Sequence, residues 1–100
     1  MSFIERQERV EQILQKERFK EWLNLYEDRQ EVGISCSSSA CPIARYLDSQ
    51  GYVATVTDTQ IGANLVRLRT PDWAESFIDK VDMLEDCTPV TKSMALQFLV

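Results

Sequence analysis

Two short runs near mid-chain alternate polar and apolar side chains residue by residue, a period that suits a strand with one buried face and suits no helix. In residues 52–58, Tyr52, Ala54 and Val56 share one face, while Val53, Thr55 and Thr57 share the other. In residues 64–70, Val66 and Leu68 point one way, Arg67 and Arg69 the opposite way. Gln60 to Ala63, with Gly62, reads as the turn between them, so the two runs form a β-hairpin. A hairpin alone is barely stable in water. The rest of the chain must cover one of its faces, and the patterns on either side are helical.

Residues 3–30 read as one long helical segment with Ser2 as its cap. Phe3, Ile4, Val10, Ile13 and Leu14 recur at helical spacing, as do Phe19, Trp22, Leu23 and Tyr26. The two stripes fall out of phase around Lys16 to Arg18, which marks a bend or break. Gly33 ends the segment, and the small residues Ser35 to Ala40 read as a loop. Pro42 then opens a short helix over 42–50, with Gly51 as its stop. After the hairpin, Thr70 caps a further helix, Pro71 takes its first position, and Asp72 faces the positive end of its dipole. Trp73, Ala74, Phe77, Ile78, Val81 and Leu84 form its apolar face. Beyond Thr88-Pro89 the tail alternates through Lys92, Met94, Leu96 and Phe98, which favours a third strand; Met94, Ala95, Phe98 and Leu99 also fit a helix.

A chain of 100 residues has room for one domain. The expected architecture is therefore a single α+β domain, 1–100, with 3–30 as the helical segment and 41–100 as the α/β core. A long or bent N-terminal helix and two shorter helices pack on an antiparallel sheet of two or three strands.

Charge and residue types then remove whole classes of function. Eleven Lys and Arg stand against sixteen Asp and Glu, and the net charge of −5 argues against a nucleic-acid partner. With no histidine, His-based triads and zinc-hydrolase motifs are excluded. No apolar run reaches the length of a signal core or a membrane span, so no membrane partner is expected. Cys36, Cys41 and Cys87 are too few, and odd in number, for a disulfide scaffold, which points to a reduced cytoplasmic setting.

Three places remain where chemistry can sit. Cys41, just before a proline at a helix start, meets unpaired N–H groups and the positive end of the dipole, both of which favour thiolate. Cys36, five residues earlier, is a candidate resolving thiol. Counting six residues on from either cysteine reaches Pro42 or Leu47, not the arginine of a phosphatase-type loop, and there is no Gly-rich phosphate motif. The second place is an acidic column, Asp72, Glu75, Asp79, Asp82 and Asp86, spaced three and four apart along one helix face. It is a candidate surface for a basic partner; no calcium-type loop accompanies it, and no metal is expected. The third is the pair Arg67 and Arg69 near Thr55 and Thr57, which can fork onto an anion or a partner's carboxylates if helices cover only the other face of the sheet.

From Cys41 onward the chain resembles a small, uncharacterised family of bacterial and phage proteins. The likeness rests on Cys41-Pro42-Ile43-Ala44-Arg45-Tyr46-Leu47, the hairpin, and then Trp73, Phe77, Ile78 and Asp82. That resemblance implies no particular activity. The Cys-Pro step opening a helix is also similar to that of TusA/SirA-like sulfur carriers, which implies a persulfide on Cys41; the second proline of that pattern is Ala44 here. The expected role is a small non-enzymatic domain that associates with itself or with another protein, without cofactor. Trp22, Leu23 and Tyr26 are the candidate contact surface on the N-terminal helix. Sulfur carriage or redox chemistry at Cys41 is the alternative.

Overall fold

A computed structural model describes residues 2–100. Along the chain run α1 (Phe3–Ile13), α2 (Lys16–Leu23), β1 (Glu31–Ile34), α3 (Pro42–Ser49), β2 (Ala54–Val56), β3 (Gln60–Ala63), β4 (Val66–Arg69), α4 (Asp72–Asp82), β5 (Pro89–Thr91) and α5 (Lys92–Phe98). The chain is an α+β domain in which β1 pairs with β5, and β2, β3 and β4 form a separate antiparallel meander.

Alternation governs the meander as expected, but the segment read as its turn is its central strand. Gln60–Ala63 pairs with β2 on one side and β4 on the other. The true turns are tighter. Thr57 Oγ1 accepts from the backbone N–H groups of Thr59 and Gln60 in the first, and Asn64, at φ 54°, opens the second. Val56, Ile61, Ala63, Val66 and Leu68 face the core. Gly62 made β3 look like a turn, because glycine is a weak strand former.

The break expected around Lys16 to Arg18 is present just before Lys16 and is complete, so the N-terminal segment is two helices and no long one, and it stops at Leu23 instead of reaching residue 30. No proline or glycine causes the break between Ile13 and Lys16. What holds it open is distant: the carbonyls freed at the end of α1 are taken by side chains from elsewhere in the fold. Tyr46 Oη donates to Ile13 O at 2.7 Å, and Trp73 Nε1 donates to Leu14 O at 3.2 Å. Unpaired helix-end carbonyls are costly when buried, so these two donors fix where α1 stops.

Gly33, read as a helix stop, instead sits in β1 under the start of α3. A Cβ built there would come within 2.4 Å of Pro42 N and 2.5 Å of its Cδ. The tail also differs from the favoured strand. Only Pro89–Thr91 is extended; Thr91 Oγ1 then accepts from Met94 N–H at 3.2 Å and starts α5. At the start of α4, Pro71 is the cap and Thr70 faces inward, its hydroxyl donating to Thr57 O at 2.8 Å. The expected stop of α3 is present: Gly51 takes φ 93°.

The core joins α2, α3 and α4 through aromatic rings. Phe19, fully buried, lies 5.2 Å from Phe77, 5.5 Å from Tyr46, 5.6 Å from Trp73 and 5.8 Å from Trp22, centroid to centroid. Three of those contacts are tilted or edge-on, the arrangements that ring quadrupoles prefer. The helices pack over the inward face of the meander, α3 against β2 and α1 against β4, and leave the outward face bare.

Candidate functional site

Each expected site residue has a definite place. Trp22 and Leu23 are buried, and Tyr26 is partly so, its ring stacked edge-on against Trp22 at 5.1 Å. The contact surface expected there is core, because breaking the long helix turned this stripe inward onto α3. Exposed apolar groups on the N-terminal helices are instead Phe3 and Ile4.

Cys41 does cap a helix, and its Sγ accepts from Ala44 N–H at 3.5 Å. The expected thiolate does not follow. The residue is 6% exposed, and burial pushes the thiol above its ordinary value more strongly than the Ala44 and Ile43 N–H groups pull it down. Desolvation outweighs the dipole here because Cys41 is part of the buried hydrophobic core. Cys36 is exposed, and its S–H points to the carbonyls of Asp82 and Leu84 at 3.7 and 3.9 Å. Its thiol is also raised, first by the hydrogen bond to the Asp86 side chain, then by desolvation and by the nearby charges of Asp82 and Asp86. One thiol is buried and the other is held against acids, so the two do not form an activated pair.

The acidic column divides. Asp72, Glu75 and Asp79 are exposed along the outer side of α4. Asp82 is occupied, since its Oδ1 accepts from Cys36 N–H at 3.1 Å, and Asp86 lies past the end of the helix. Among the described residues no three Cys, Asp or Glu side chains gather as a metal-binding group. No helix among them is long and apolar enough to cross a membrane.

The outward face of the meander brings together residues from three strands. Strand register sets Thr55, Gly62 and Arg67 in one row, with Gln60 and Arg69 beside it and Thr57 at the same end. At the other end Val53 and Leu65 are 80% and 79% exposed. A trough of about 510 Å³ is lined by Val53, Leu65, Thr55, Thr57, Gln60, Gly62 and Arg67, among others, while Arg69 lies on the adjoining groove. Among the described residues neither Arg67 nor Arg69 forms an ion pair; the pairs present are Arg45–Glu31 and Lys92–Asp28. Glu11 borders the adjoining groove between α1 and β4 without reaching Arg67.

Gly62 is the residue that sequence reasoning misplaced. It lies in the middle of a strand, its φ is not in the left-handed region, and a Cβ there would approach nothing closer than Thr55 O at 4.0 Å. Neither backbone conformation nor internal packing requires glycine at this position. Its missing side chain deepens the trough between Thr55 and Arg67. The only sequence signal for this was a glycine inside an otherwise alternating region, which also fits a turn.

Set beside known proteins, the chain matches no family model, and no curated protein or solved structure is significantly similar to it.

Proposed function

We propose that this chain is a small non-catalytic association domain, and that it binds a protein through the outward face of the β2–β3–β4 meander. The observation that carries the reading is Gly62: a mid-strand glycine that the chain's own fold does not need, set at the floor of an open face. Glycine in a strand interior costs about 0.5–1 kcal/mol relative to alanine, and a recurring reason to keep it is the close approach of another molecule. The exposed Val53 and Leu65 add apolar area, and the unpaired Arg67 and Arg69 add directional donors. Sulfur carriage draws no support from Cys41, whose sulfur is buried and whose thiol is pushed by that burial above its ordinary value.

The test is site-directed photo-crosslinking in the full chain. A photoreactive residue at Thr55 is expected to cross-link to protein, whereas the same group at Glu17, on the exposed side of α2, is not. Gly62→Val is expected to remove the Thr55 product while leaving thermal stability unchanged or higher. If Thr55 gives no more product than Glu17, or if the product persists in Gly62→Val, the reading is wrong.

A further inference from the structure

Resting on that reading, the identity of the occupant follows from charge and spacing. We infer that the open face receives a second copy of this chain, through the outer side of its α4. The face has two guanidinium groups without carboxylate partners, and it belongs to a protein of net charge −5. Exposed acids also stand on α1 and α2, but there they alternate with Arg6, Arg9, Lys16, Arg18 and Lys20, whereas on α4 Asp72, Glu75 and Asp79 are exposed and make no ion pair among the described residues. Lys80, the one cation of that helix, is turned away and donates to the carbonyls of Phe98 and Val100 at 3.3 and 2.8 Å. The two surfaces are therefore opposite in charge and unpaired within one molecule.

Their spacings also agree. Arg67 and Arg69 are about 7 Å apart along β4, and Leu65 lies in the turn just before that strand. Met83, Asp79 and Glu75 follow one another at steps of about 6 Å along a helix. Laid side by side, Arg69 meets Glu75, Arg67 meets Asp79, and Leu65 meets Met83, which is 86% exposed. The missing side chain of Gly62 lowers the floor between Thr55 and Arg67, where the helix would lie. Such a contact joins two different surfaces, so it is head-to-tail and each copy keeps one free end.

Two variants isolate the ends. Arg67→Ser with Arg69→Ser removes the receiving charges, and Glu75→Gln with Asp79→Asn removes the donating ones; all four positions are exposed, so folding is preserved. Sedimentation velocity of the wild type at low salt is expected to show mass rising with concentration, and added salt to reverse it. Each variant alone is expected to self-associate at least about tenfold more weakly. Mixed, the two are expected to form a closed one-to-one pair, because each supplies the surface the other has lost. A wild type that stays monomeric at every concentration overturns the inference, as does a mixture that forms no pair or a variant that associates as well as the wild type. If the wild type is monomeric while Thr55 still cross-links to a different protein, the open face stands as a binding surface and the second copy falls as its occupant.

Discussion

Two glycines of this chain show how one residue type answers two different demands. At Gly33 the neighbouring α3 leaves no space for a methyl group, since Pro42 N would be 2.4 Å away and backbone cannot yield cheaply. Gly33→Ala is therefore expected to destabilise the fold by about 1–3 kcal/mol, the range for overpacking. At Gly62 the space is open, and Gly62→Ala is expected to leave stability unchanged or raise it by about 0.5–1 kcal/mol. Denaturant titration of the two variants measures both signs. Acid–base behaviour adds a second prediction. Burial raises both the Cys41 thiol and the Tyr46 hydroxyl, so the fold favours their protonated forms. Unfolding then releases protons once pH exceeds the ordinary thiol value of 9.0, and stability should fall as pH rises through and beyond that point. Replacing Cys41 by Ala and Tyr46 by Phe should flatten that decline, as read from denaturation at a series of alkaline pH values. Cys41 should also resist alkylation in the folded protein while Cys36 reacts.

The elements were legible in proportion to how local their causes are. The short helix after Pro42, the apolar face of α4 and the inward and outward sides of β2 and β4 could all be read from the sequence, because capping, helical spacing and alternation are properties of neighbouring residues. The break between α1 and α2 showed only as a phase shift around Lys16 to Arg18; its exact place did not, because donors on Tyr46 and Trp73 set it from far along the chain. β1 and β3 are about as short as β2 and β4 but each contains a glycine, and that turn signal outweighs their brief alternation. For the candidate site, Arg67 and Arg69 were visible as outward strand residues, whereas the burial of Trp22 and Cys41 depended on how the helices fold back. The clamp predicts its own test. Trp73→Phe keeps most of the ring contact with Phe19 but removes the donor to Leu14 O, and should cost about 1–3 kcal/mol in chemical denaturation. Phe19→Ala, which empties the centre of the aromatic cluster, should cost about 3–5 kcal/mol.

Across the whole molecule, covered and bare surfaces are segregated. Helices take one side of the meander, and its other side keeps a trough, two cations that make no ion pair among the described residues, and two exposed apolar residues. Association through that side links the native state to concentration: the midpoint of thermal unfolding should rise as wild-type protein is concentrated, and should not do so for Arg67→Ser with Arg69→Ser. Differential scanning fluorimetry over a dilution series reads this directly. The strand that carries the arginines runs into the helix that carries the acids through Thr70 and Pro71 alone, with Pro71 at φ −59° and Thr70 tied to Thr57 O. That stiff corner sets a constant angle between plug and socket, so a row of joined copies would advance by the same screw operation at every step. Pitch and handedness of such a filament would be written into two residues, and reshaping that corner would change its winding without touching either mating surface.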